Sequence, residues 1–284
     1  MQNLREAGSP PRAFVCLQWM VRAPKKFMLV ATWNVNSLNI RKERLLAWLA
    51  DRRPDVVCLQ ELKGVDESFP LDEVRQAGYH AAVFGQRTYN GVAILSREEP
   101  AEVERGFGDG VEDAQARLIA ATLAGVRILS AYIPNGGEVG SEKYEYKKEW
   151  LGRLKSYLER RGLLSRPMLL CGDFNIAPER QDASRPDEWE GTVLFNNEMR
   201  ATFQDLLRMG LVDTFRLHQP EGNFNSWWDY RQLAFPKNNG LRIDHILASA
   251  AMAQRCTASR IDREARKGKK PSDHAPVFAE FSDS

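Results

Sequence analysis

Apolar runs of strand length recur along this chain, and they end alike. LLCGDFN (169–175) carries two leucines and a cysteine into Asp173 and Asn175 before Pro178 stops it. FMLVATWNVN (27–36) ends in Asn34 and Asn36, and DVVCLQE (55–61) ends in Glu61. VRILSAYIPN (126–135) passes Tyr132 before Pro134 and Asn135. LRIDHILAS (241–249) carries Asp244, and HAPVFAEF (274–281) starts at His274, just after Asp273. Short apolar runs bounded by turn residues read as strands. Helical spacing fills the intervals. RKERLLAWLADRR places Leu45, Leu46, Trp48 and Leu49 on one face before Pro54. Residues 141–162 do the same with Trp150, Leu151, Leu154, Tyr157 and Leu158, and NNEMRATFQDLLRMG is a helix closed by Gly210. Ala124-Gly125 joins two strand runs and predicts a tight hairpin. Hairpins beside strand–helix–strand units predict one α/β domain with mixed sheets. No Gly/Ser-rich or Pro-rich linker divides it, and its halves loosely echo each other.

The chain of 284 residues is 43% hydrophobic, enough for a sizeable core. Its 40 Lys plus Arg nearly balance 38 Asp plus Glu, so net charge identifies no partner. Basic residues do gather at 255–270, which reads as a loop able to face phosphate. The four cysteines form no CxxC pair, which argues against a zinc knuckle and suits a reducing compartment. Residues 1–27 hold one short apolar run, AFVCLQWMV (13–21), too brief to span a membrane. They are expected to be a poorly ordered extension ahead of a catalytic domain at 28–284, or to reflect a start site set too early.

Each polar strand end has a bland reading as a turn or a solvated side chain. Their number favours convergence on one cleft, since loops on a rigid scaffold carry function. The oxygen donors Glu61, Asn36, Asp273 and Asp173 suit Mg²⁺ or Mn²⁺, ions that keep room for a phosphate. Phosphate ester hydrolysis then needs a positioned water and charge stabilisation at phosphorus. Asp173 could orient or deprotonate that water, Asn175 could donate to the phosphate, and His274, if paired with Asp244, would hold its proton longer. Tyr132 could donate.

The segments TWNVNSL, LQELK, AYIPNGG, CGDFNIAP, SWWDYR, NNGLRIDHILAS and SDHAPV, in this order, resemble the exonuclease III class of apurinic/apyrimidinic endonucleases, in the endonuclease/exonuclease/phosphatase superfamily that includes DNase I. The resemblance covers essentially everything after residue 27. It implies a four-layered αββα sandwich, two packed mixed sheets flanked by helices. It implies catalytic roles for Asn34, Tyr132, Asp173, Asn175, Asp244 and His274. It implies a Mg²⁺ or Mn²⁺ site drawn from Glu61, Asn36, Asp273, Asp173 and Asn175. Substrate contacts would come from Asn135, Lys63, Arg242 and Trp227 or Trp228, one of which would pack on the abasic sugar. The implied activity is cleavage 5′ to an abasic site in double-stranded DNA, with 3′→5′ exonuclease and 3′-phosphatase or phosphodiesterase action on blocked 3′ ends. A monomer in the cytoplasm, associated with the nucleoid and not with membrane, is expected. Arg41, Lys63, residues 143–148, Arg231, Lys237 and the 255–270 run are candidates to grip DNA backbone. Two departures stand out: Leu62 follows the metal glutamate where threonine is expected, and Asn36 stands where some members carry aspartate. A phosphoesterase acting on inositol phosphates or phospholipids would share GDFN and SDHAP, but would have little reason for SWWDYR. A binding protein that had lost the chemistry would not need the full polar set.

Overall fold

The computed structural model describes residues 27–283. The expectation for the extension lies outside these residues, except that Phe27 already belongs to the first strand. The strands are β1 (Phe27–Asn34), β2 (Val56–Gln60), β3 (His80–Phe84), β4 (Val92–Ser96), β5 (Ala101–Arg105), β6 (Leu118–Leu123), β7 (Val126–Tyr132), β8 (Met168–Asp173), β9 (Leu211–Asp213), β10 (Asp244–Ser249), β11 (Cys256–Ile261) and β12 (Val277–Ser282). The helices are α1 (Leu38–Arg52), α2 (Leu71–Gln76), α3 (Glu142–Arg160), α4 (Pro186–Trp189), α5 (Asn197–Arg208), α6 (Thr214–His218) and α7 (Ala250–Ala253).

Two six-stranded sheets run β11-β12-β1-β2-β4-β3 and β5-β6-β7-β8-β10-β9. Each has one parallel pair at its centre, β1 with β2 and β7 with β8, joined by a long helix, α1 or α3. The remaining pairs are antiparallel. The two sheets therefore share one pattern of strand sense, which gives the echo in the sequence a structural form. The mixed sheets and the αββα sandwich are both present.

Side-chain alternation builds the layers. In β1, Val30 points between the sheets while Ala31 and Trp33 face α1. In β8, Leu169 and Cys171 point between the sheets, and Met168 and Leu170 face α3 and α5. Trp48 of α1 fills the outer layer, stacked on Phe278 at 5.3 Å and tilted against Trp33 at 5.2 Å. Ser141 caps α3 by accepting the Tyr144 N–H. Ala124 (φ 48°) and Gly125 (φ 77°) close the β6–β7 hairpin as expected.

The basic run at 255–270 is not simply a loop. Cys256–Ile261 form the edge strand β11, where Arg260 pairs with Glu280 and the Arg255 guanidinium donates to the Ser282 carbonyl. Among the described residues, no helix is long and apolar enough to cross a membrane.

Candidate active site

Topology brings the polar strand ends to one rim. β1 and β2 are parallel, so Asn34 and the residue after Gln60 emerge together. β7 and β8 are parallel, so Tyr132 lies beside Asp173. β10 runs the other way, so its first residue, Asp244, sits opposite Asp173. His274 leads into β12, which is antiparallel to β1, and so arrives at the same end.

The backbone turns sharply just past three of these ends. Asn36 (φ 43°), Glu61 (φ 55°), Lys63 (φ 56°) and Asn175 (φ 51°) are all left-handed without being glycine. Asparagine tolerates this region, whereas for Glu61 and Lys63 it costs on the order of 1–3 kcal/mol each. Hydrogen bonds from the N–H groups of Leu62 and Lys63 to the carbonyls of Gly91 and Asn90 hold the turn. β8 must also approach β7 closely: a Cβ on Gly172 would lie 1.8 Å from the Ala131 carbonyl oxygen.

The side chains form one network. The Asn34 amide donates to Glu61 Oε1 at 2.7 Å and to Asp173 Oδ2 at 2.9 Å. The Tyr132 hydroxyl donates to Glu61 Oε1 at 2.9 Å, and Lys63 Nζ sits 2.8 Å from Glu61 Oε2. Lys63 Nζ also donates to Asn36 Oδ1 at 2.6 Å, and the Asn36 amide donates to Asp273 Oδ1 at 2.9 Å. The Asn175 N–H donates to Asp173 Oδ1 at 2.9 Å, and the Asn135 amide donates to Asn175 Oδ1 at 3.0 Å. His274 Nδ1 lies 2.9 Å from Asp244 Oδ2, and its Nε2 lies 3.7 Å from Asp173 Oδ2.

Burial sets the protonation states. It pushes the Asp173 carboxyl up to about 7, helped by Asp244 and opposed by His274. Burial alone would lower His274, but Asp244 and Asp173 together lift it to about 10. Burial would also raise Glu61; the Lys63 ammonium and the Asn34 amide outweigh it and hold the carboxyl below its ordinary value. Burial and the charges of Glu61 and Asp173 push the Tyr132 phenol well above its ordinary value, so it remains a donor.

Glu61, Asp173 and His274 bring ligand-type atoms within 4.8 Å of one another. A protonated imidazole cannot ligate, so the usable donors are the oxygens, Glu61 foremost, and these fit a hard divalent ion. Asn36, Asp273 and Asn175 stand around this group, each already hydrogen-bonded to a neighbour.

Two candidate substrate residues lie in the interior. Arg242 is 1% exposed and paired with Asp182 and Asp213, so it braces the fold and reaches no substrate. Trp228 is fully buried with Ala234 and Ala275, so it is core. Trp227 remains at the site, donating to Asp273 Oδ2 at 3.1 Å. Among the candidates for gripping backbone, Arg41, Lys147 and Arg266 are also buried, and Arg41 donates to the Tyr230 hydroxyl and the Pro271 carbonyl.

Some supporting residues escaped the sequence reading. Ser226 Oγ accepts the N–H groups of Ile243 and Asp244, and Ser272 Oγ donates to the Asn34 carbonyl at 2.7 Å. Ser226 opens SWWDYR and Ser272 opens SDHAPV, yet a hydroxyl carries no signal of its partner. Arg117 lies over the Tyr132 ring at 4.7 Å and donates to its carbonyl. Lys147 did leave a signal: it shares a helical stripe with Tyr144, Leu151 and Leu154.

Residues 31–274 match the Endonuclease/Exonuclease/phosphatase family. Exodeoxyribonuclease III of Haemophilus influenzae is 40% identical over 266 residues, covering 89% of this chain and 100% of that protein. The 3′ phosphatase NExo from Neisseria, solved with a product DNA hairpin, is 44% identical with a TM-score of 0.87, over 89% of this chain and 99% of that one. An AP endonuclease from Archaeoglobus fulgidus is 38% identical with the same TM-score of 0.87, again over 89% of this chain and 99% of that one. The polar rim of two matched sheets thus belongs to a metal-dependent DNA repair nuclease, a hydrolase with a DNase I-like fold, and the chain is a member of the exonuclease III class of the Endonuclease/Exonuclease/phosphatase family.

Proposed function

We propose that the protein hydrolyses the phosphodiester 5′ to abasic sites in double-stranded DNA and clears blocked 3′ ends, as a base excision repair enzyme acting as a monomer on the nucleoid in the cytoplasm. The observation that carries this reading is the meeting of Asn34, Glu61, Tyr132, Asp173 and Asn175 in one hydrogen-bonded group, with the Asp244–His274 pair 3.7 Å from Asp173.

Asp173 takes the proton of the attacking water. Its neighbour His274 already holds a proton, shared with Asp244, and so serves as a donor to the phosphate and not as the base. The amides of Asn34 and Asn175 orient Asp173 for this role, and Asn34 also holds Glu61. Tyr132, still protonated, offers its O–H at the same centre. Glu61, with help from Asn36, Asp273, Asp173 and Asn175, would hold Mg²⁺ or Mn²⁺, which supplies neutralisation of phosphate charge when bound. Lys63 and Asn135 flank the phosphate, and Trp227 meets the exposed sugar. Exposed Lys143, Lys237, Lys269 and Lys270 are left for backbone contacts.

One contact favours a narrower reading confined to 3′ ends. The Trp189 ring packs edge-on against Trp227 at 5.7 Å, which restricts the face available to an extrahelical sugar. A duplex labelled at its end, carrying one internal abasic analogue and one 3′-phosphate, separates the two with and without chelator. Metal-dependent incision at the lesion supports the broad reading. Loss of the 3′-phosphate alone supports the narrow one, and an untouched duplex defeats both.

A further inference from the structure

Lys147 has no task in this scheme, although it lies beneath the site. It is fully buried on the inner face of α3. A buried ammonium is costly unless its protons find acceptors. All three do: it donates to the carbonyls of Asn175 at 2.7 Å, Val193 at 2.8 Å and Asn135 at 3.2 Å. These carbonyls belong to three separate loops, one after β7, one after β8 and one before α5. Gly136 makes room for the lysine, since a Cβ there would come 3.1 Å from its Cδ in a backbone with φ +95°.

The consequences reach the reacting centre. Asn175 spends its amide on the Ile133 carbonyl and Asp173, and its Oδ1 accepts from Asn135. Holding the main chain of both asparagines from below fixes where their side chains stand. We propose that Lys147 is a positioning residue for hydrolysis, one ammonium that locks together the loops carrying Asn135 and Asn175. The inference rests on the reading of Asn175 as a residue that orients Asp173.

Lys147→Met keeps the apolar stem and removes the donors. It is expected to lower kcat by about 100-fold, the scale of a misplaced catalytic group, while KM for DNA barely moves. A folded Lys147→Met protein with wild-type kcat overturns the proposal, as does an equal loss through KM alone. Should that variant fail to fold, Lys147→Ala titrated with n-propylammonium at constant ionic strength decides. Recovery of kcat with the amine and not with n-propanol supports the positioning role, and no recovery with either overturns it. Asn175→Ala, measured alongside, separates the premises. If it retains wild-type kcat, the reading of Asn175 fails; if it is inactive while Lys147→Met is not, only the role of Lys147 fails.

Discussion

Asp173 owes its chemistry to what surrounds it. Buried between two sheets, it is a carboxylate that welcomes a proton, and His274 at 3.7 Å keeps it from being protonated permanently. Asp173→Asn should therefore lower kcat by about a thousandfold or more, with DNA affinity kept, as read by single-turnover kinetics and fluorescence anisotropy. Glu61 answers to a different test. Glu61→Ala removes the carboxylate 2.8 Å from Lys63, so half-saturation should move to much higher Mg²⁺ concentration; an unchanged titration would remove it from the ligand set. At this scale the sequence was readable wherever a polar residue closed an apolar run, as with Asp173 and Glu61. It was not readable for Arg242, whose partners Asp182 and Asp213 lie far away along the chain. Motif membership placed Arg242 near the site, and only the packing shows that it faces inward.

Among elements, those with a strong period were legible and those at the sheet edges were not. β8, buried along its whole length, reads plainly as LLCGD. β5 (AEVER) is mostly exposed and β11 (CTASRI) is partly so, and in each the alternation of apolar and polar residues lasts only four positions. The segment 106–115, between β5 and β6, is anchored to α3 by Arg153, which bonds Asp109 at 2.8 Å and Asp113 at 3.0 Å. The hydrogen bond from Arg153 holds the Asp109 carboxyl below its ordinary value. A folded-state value that is lowered means anchoring is complete above the unfolded value and fades as pH falls through the folded one. Asp109→Asn should therefore speed amide hydrogen exchange in 106–115 at neutral pH, where the unmodified loop stays protected. The unmodified loop should loosen only below about pH 4.

For the whole molecule, fold class followed from interleaved periods, and the duplication of sheet pattern did not, because strand order is set by pairings between distant segments. β1 with β12 is such a pairing. Charge shows the same limit: a balanced total of 40 basic and 38 acidic residues gave no hint of which lysines remain exposed. Replacing Lys143, Lys237, Lys269 and Lys270 with glutamine should weaken DNA binding and flatten its dependence on salt, with kcat at saturating DNA preserved. A salt slope equal to that of the parent would move the backbone contacts elsewhere.

The place of β1, flanked by β2 on one side and β12 on the other, has a temporal meaning. Of the described strands, the one that leaves the ribosome first has to wait, one flank bare, for the one that leaves last. A nascent chain stopped before Val277 would own Glu61, Asp173 and even His274, yet lack the strand that carries that imidazole to the shared end of the sheet. The rim is thereby complete only once both flanks of β1 are filled.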